Sequence, residues 1–401
     1  MTTIFNQSNL TSFKLACGIV LVSSTLKSLH IVSDHMLYIL NIIALYYFHQ
    51  VINYNNYKRW KKTMQYIWGG IMLYNLILFI RLLLNHDGYS ISSCLFHPYF
   101  LPGLLVFFLV MIDTRYIFSI IKYIPLLFPI AIILSPFFFD AAVVVLTFYI
   151  FFIFLFNDIL WFPISKKKRV IIILISALFI YKNSIIDENR FLLFMVLLLS
   201  TSHICICYFK RATKYLWLIF ISLPFVFSIL FFCYDISLFS IKTTNNSNNN
   251  ITLYNDTRTF LFHEVSEYLI RDDFFLTGAG LNGKIPTVLN SEIDPTVDKL
   301  GRRSFIEANY LELMRRGGVI YLVIYLILLI YPSYKALYSN NYFMQYTSFF
   351  LATIYVGSLI ELPHSLNPNA IITMMCIALC MNNNFIKADN KKMKMFLASI
   401  K

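Results

Sequence analysis

The residues best suited to chemistry in this chain are arginines placed where an apolar protein has little use for them. Arg190 stands in IIDENRFLLF, Arg258 opens the run TRTFLFHEVSEYLIRDDFFLTGAGLNG, and Arg302 and Arg303 precede SFIEANYLELMRRGG, which carries Arg315 and Arg316. A guanidinium is a planar fork of donors that grips phosphate oxygens in pairs. A convergent set therefore suits a pyrophosphate group and the charge it develops on departure. Candidate acid–base groups lie in the same stretches: Glu307, His263, and the pair Glu361 and His364 in IELPHSLNP. Gly278 and Gly280 punctuate the polar segment, but the GAGLNG run lacks the Lys-Ser/Thr of a nucleotide phosphate loop, which excludes that chemistry.

Each of these residues also has a plainer role open to it. Arg190 can pair with Asp187 or Glu188, Arg258 with Asp256, and Arg316 with Glu312 one helical turn earlier. Ser304 and Glu307 have the spacing of a capping box, which would start a helix there and commit the carboxylate to backbone amides. Arg81, near the outer end of an apolar run, would snorkel to the membrane surface. The cysteines fall mostly inside apolar runs (Cys17, Cys205, Cys207, Cys233, Cys376 and Cys380, with Cys94 outside them) and read as buried small hydrophobes with no disulfide or metal spacing.

The elements that must position these groups are membrane helices. With 58% hydrophobic and 13% charged residues, the chain is no ordinary soluble globule. Its net charge of +13 lies mainly in short connections, not in a nucleic-acid face. The apolar runs predict an all-α polytopic bundle of about twelve spans, at 12–32, 33–53, 66–84, 99–117, 120–139, 140–160, 168–186, 190–209, 214–235, 306–331, 342–360 and 367–386. Lys58, Arg59, Lys61, Lys62, Arg115, Lys122, Lys166 to Arg169, Lys210, Arg211, Lys214, Lys335 and the terminal lysines all fall on one side of that arrangement. The positive-inside rule then makes both termini cytoplasmic. Residues 1–235 form nine helices, 236–305 a large outer loop, 306–386 the last three helices, and 387–401 a basic tail. Residues 1–11 contain no Lys or Arg, so the first run is expected to be kept as a helix. Within the outer loop, Phe260, Leu261, Val265, Tyr268 and Leu269 recur at helical spacing and predict an amphipathic helix.

Taken in order, ENRFLLF, then Arg258 followed by a helix and LTGAGLNG, then ANYLELMRRGGVIYL, resemble the O-antigen polymerase and ligase superfamily, multi-spanning glycosyltransferases that act on undecaprenyl-pyrophosphate sugars. The resemblance implies an enzyme of the bacterial cytoplasmic membrane that uses no metal or other cofactor and inverts the anomeric centre. Arg190 and Arg258 would hold the donor pyrophosphate, joined by Arg302, Arg303, Arg315 and Arg316, and Asn309 would match the Asn of the family's His-Asn pair. Ala308 stands where ligase-type members place His, which favours a polymerase joining repeat units over a ligase that transfers glycan to lipid A core. Its partners would be the bilayer, the lipid-linked oligosaccharide and a chain-length regulator, with no nucleic acid. A flippase, the third reading, would line a central path with charges, whereas these spans are nearly free of ionisable residues at mid-depth.

Overall fold

The computed structural model describes residues 7–28, 31–84, 101–121, 190–234, 257–287, 300–306, 308–359 and 366–399, with isolated positions at 91, 95, 297 and 298 and between 167 and 181. The described residues are predominantly helical. In chain order they form α1 (Gln7–Ser28), α2 (Asp34–His49), α3 (Tyr54–Arg59), α4 (Lys62–Leu84), α5 (Leu101–Leu105) running into a 3-10 turn (Val106–Met111), α6 (Thr114–Ile121), α7 (Arg190–Tyr208) and α8 (Thr213–Tyr234). The polar segment follows, with α9 (Thr257–Arg271) and a two-stranded ribbon of β1 (Ile285–Pro286) and β2 (Arg302–Arg303). The chain then continues as α10 (Asn309–Leu337), α11 (Tyr342–Gly357), α12 (Pro368–Met381), α13 (Asn383–Lys387) and α14 (Asn390–Ser399).

Among the described residues three helical stretches are long and apolar enough by length and composition to cross a membrane, Ser8–Lys27, Lys62–Leu84 and Asn309–Leu337, the last of them interrupted at Gly318, and shorter apolar helices pack with them. Most of the predicted spans at 120–139, 140–160 and 168–186 lies outside the described residues. The predicted fourth span, 99–117, is not one helix. It tightens to 3-10 geometry and ends at Met111, and Ile112 forms an antiparallel bridge with Ile52. Side chains and backbone from the α2–α4 region take over the carbonyls this break frees: Trp68 Nε1 donates to Phe107 O at 3.0 Å, and the Asn53 amide to Met111 O at 3.1 Å.

Because lipid is as apolar as Leu, helix association in a membrane leans on close packing and interhelical hydrogen bonds. One such contact joins α8, α10 and α11. Trp217 Nε1 donates to Ser333 Oγ at 2.7 Å, and Ser333 Oγ donates to Ser348 O at 2.9 Å. Ser333 and Ser348 are both fully buried, so this contact between α10 and α11 lies inside the bundle.

The segment expected to form a single span over 306–331 is broken. Gly318 takes φ 66° and ψ −169°, a conformation no right-handed helix contains. In an unbroken helix Asn309 and Tyr325 would stand about 24 Å apart along the axis. Instead the Tyr325 hydroxyl approaches the Asn309 side chain. The stub 309–317 thus folds back alongside the helix that follows the break. The Tyr310 amide donates to Ser358 O at 3.0 Å, and the Tyr310 hydroxyl to Tyr355 O at 2.7 Å, which seats the stub against the end of α11.

Candidate functional site

A helix break exposes backbone groups that need partners, and here the polar loop supplies them. Phe275 O and Leu276 O accept from the amides of Val319 and Ile320 at the start of the second half, at 2.9 and 3.4 Å, while the Ala279 amide donates to Arg315 O at the end of the stub, at 2.7 Å. The loop therefore plugs the break. Gly278 has φ 70°, and a Cβ on it would lie 2.5 Å from the amides of both Gly317 and Gly318. Gly280 also has positive φ, with Arg81 Nε 3.9 Å from where a Cβ would be.

Helix α4 completes the junction. Tyr74 donates its hydroxyl to Gly317 O at 2.6 Å and stacks on Tyr321, whose hydroxyl donates to Asn75 Oδ1 at 2.7 Å. Arg81 does not simply snorkel. Its Nη1 donates to Thr277 O and Gly278 O at 3.0 and 2.8 Å, so this cation fixes the loop by taking the carbonyls on either side of the tight turn.

At the centre lies Glu312, fully buried and not singled out as a site residue from the sequence. Its Oε1 accepts from Arg315 Nη2 and Arg316 Nε, both at 2.6 Å, and its Oε2 from Arg315 Nε at 2.8 Å and the Ile306 amide at 3.2 Å. A carboxylate with each oxygen held by two donors is an anchor, not a free base. Arg315 also donates Nη1 to Gly283 O, tying the stub to the glycine loop. Arg316 gives Glu312 only its Nε, and its two terminal amino groups have no hydrogen-bond partner among the described residues. The spacing of Glu312, Arg315 and Arg316 on one helix face made this pairing legible; its burial was not.

The capping-box expectation for Ser304 and Glu307 is corrected. The helix begins at Asn309 with Ala308 as a cap that makes no side-chain bond. The carboxylate that reaches back to an amide ahead of the helix is that of Glu312, because residues 302–303 are held in the ribbon with 285–286 and a start at Ser304 is blocked.

The remaining predicted residues sort as follows. Arg303 is buried, with Nη1 3.6 Å from the Glu264 carboxylate of α9, and His263 stands half-buried beside Glu264. Arg302 is exposed and ion-paired with Asp298 at 3.2 Å. Asn309 is fully buried at the stub's start. Arg190 opens α7 and Arg258 is the second residue of α9, as expected, but their side chains lie outside the described residues, as do Glu307, Glu361 and His364. Helix α9 buries Leu261, Val265 and Leu269, the face its periodicity marked. Cys207 is exposed at the end of α7, contrary to the expectation of burial, whereas Cys376 and Cys380 are buried as expected. Among the described residues no three His, Cys, Asp or Glu side chains gather as metal ligands.

The ribbon is closed by Asp298. A hydrogen bond from Lys284, reinforced by the amides of Arg302 and Leu300, holds its carboxyl down at about 2. A depressed carboxyl stabilises the fold above its ordinary value near 3.8 and loses that contribution as pH falls through about 2. The turn at 297–303 is therefore expected to keep its amide protection from neutral pH down to about 4 and to lose it between there and about 2. Asp298→Asn should exchange fast at neutral pH. Hydrogen exchange across this peptide checks both, and a turn equally protected in the Asn variant contradicts the assignment.

The class of protein these features define is an all-α chain with apolar helices long enough to cross a membrane and a polar loop wedged into a broken helix. No family model matches it, and neither a curated protein nor a solved structure is significantly similar.

Proposed function

We propose that this chain is an oligosaccharide repeat-unit polymerase of the O-antigen polymerase and ligase superfamily, working at the outer face of the bacterial cytoplasmic membrane with both termini cytoplasmic. It would transfer a growing glycan from one undecaprenyl pyrophosphate to the terminal hydroxyl of an incoming unit. The supporting observation is one of charge: a buried carboxylate faces two buried guanidiniums, and Arg316 keeps its terminal nitrogens uncommitted among the described residues. Excess positive charge buried at a membrane is costly unless an anion balances it. A pyrophosphate supplies such an anion, and its departure is the step a positive site accelerates. Arg190 and Arg258 join this role by resemblance. The close alternative is a ligase to lipid A core, disfavoured by Ala308; a flippase would want charges along a central path, and the sequence of the predicted spans is nearly free of ionisable residues at mid-depth.

Two measurements test the reading. A strain lacking the chain is expected to carry single repeat units on its lipid A core and no polymer. Long polymer accumulating on the carrier lipid would show a ligase instead. In the complemented strain, Arg316→Ala is expected to leave the chain folded, since Glu312 and Arg315 remain a neutral pair, while polymer falls by at least about a hundredfold. Arg316→Lys should rescue poorly, because a point charge does not reproduce the fork. Normal polymer from Arg316→Ala would remove this residue from the site.

A further inference from the structure

The cations that orient the chain play no part in the proposed chemistry, yet three of them gather at one corner. A tight turn joins α7 to α8, with the Ala212 amide bonded to Phe209 O at 2.8 Å and the hydroxyl of the buried Thr213 bonded to the same carbonyl at 3.3 Å. This turn and the start of α8 carry Lys210, Arg211 and Lys214, all exposed. Two of the three rest on the neighbouring turn between α10 and α11: Lys210 Nζ stands 5.2 Å from the centre of the Tyr342 ring, and Lys214 Nζ 4.5 Å from that of Tyr338. Such a contact positions an ammonium without neutralising it. Among the described residues no carboxylate pairs with any of the three. The positive-inside bias accounts for the sign of charge on this side, but not for two ammoniums seated on the rings of another turn.

The surface that leads away from the corner selects the ligand. Below Lys214, on the same face of α8, come Leu218, Phe225 and Ile229; below Tyr338, on one face of α10, come Tyr334, Ile327 and Val323. All six are exposed. The two stripes start side by side, since the Trp217 and Tyr334 rings lie 5.8 Å apart, and both helices pack on α11. Exposed apolar stripes on membrane helices face acyl chains. The three cations therefore stand where those stripes end, at the level of the headgroup phosphates, and the dipole at the start of α8 adds to their attraction for an anion. A free phosphate ion would make no use of the stripes.

We infer that Lys210, Arg211 and Lys214 bind the phosphate headgroup of an anionic phospholipid, whose acyl chains lie along the stripes of α8 and α10. The bound headgroup bridges the α7–α8 and α10–α11 turns and so stabilises the packing of these helices. The site lies at the opposite end of α10 from Arg316 and does not depend on the polymerase reading.

The test uses the purified full chain in a neutral detergent, read by native mass spectrometry for bound lipid and by thermal unfolding. Phosphatidylglycerol is expected to bind and to raise the unfolding temperature, whereas phosphatidylcholine, which has no net charge, should do neither at the same concentration. Lys210→Gln, Arg211→Gln and Lys214→Gln combined should weaken phosphatidylglycerol binding about a hundredfold, at about fivefold for each cation. Arg211→Gln alone, with its single fivefold loss, covers the case in which the triple variant fails to fold. Lys58→Gln, Lys61→Gln and Lys62→Gln combined remove the same charge from exposed positions elsewhere on that side and should leave binding unchanged. Equal losses from the two triple variants would show attraction by net charge only. Equal binding of phosphatidylcholine, or displacement of the lipid by an equal concentration of glycerol phosphate, would show that no anionic lipid is recognised. Each of these results overturns the inference.

Discussion

Replacing Gly318 with alanine is expected to remove most of the chain from the membrane. Two physical terms act at one residue. At φ 66° and ψ −169° an L side chain is strained whatever space it has, and a Cβ there would collide with the Leu276 carbonyl, which is fixed by its bond from Ile320. Backbone strain of about 1–3 kcal/mol and an overpacking cost of about 1–3 kcal/mol add at a site with no freedom to relax. Their sum is a large part of the stability of an ordinary domain. Gly69→Ala and Gly70→Ala are the internal controls, because a Cβ at either position of α4 meets nothing within 4 Å, and both should be neutral or slightly stabilising. The check is protein abundance in membranes together with the unfolding temperature in detergent. A Gly318→Ala chain as abundant and as stable as the Gly69→Ala control would mean that the break is not built on this residue.

Glu312→Ala should be nearly as damaging, for an electrostatic reason. It leaves the guanidiniums of Arg315 and Arg316, 2% and 5% exposed, facing each other with no carboxylate between them, and unpartners the Ile306 amide. Breaking a buried ion pair by removing one member costs on the order of 3–5 kcal/mol, more than the pair contributes when intact. Glu312→Gln should recover little. Only one of its two terminal atoms is an acceptor, and the other, an amino group, would point its hydrogens at a guanidinium. The contrast with Arg316→Ala is informative: removal of the carboxylate unfolds the junction, whereas removal of the outer arginine leaves a neutral pair and strikes function. Thermal unfolding of the three variants side by side measures this, and a Glu312→Ala protein that melts with the wild type would show that the cluster carries no structural weight.

Much of the architecture is determined by the sequence alone. Apolar runs near membrane length force helices, because backbone in hydrocarbon must satisfy itself, and the period of Leu261, Val265 and Leu269 sets the buried face of α9. Glu312 with Arg315 and Arg316 was legible in the same way, since residues three and four apart on a helix are neighbours. What the tertiary structure decided was direction. Any of the glycines in LTGAGLNG or RRGG is free to adopt positive φ, and local sequence does not say which does so. The loop backbone at 275–279, docked on Gly317 and Gly318, made that choice by bonding the groups the break exposes. The same contact gave Arg81 its role on the loop carbonyls and carried Asn309 inward beside Ser358. These placements come from residues far apart in the chain, and periodicity, a local property, carries no information about them.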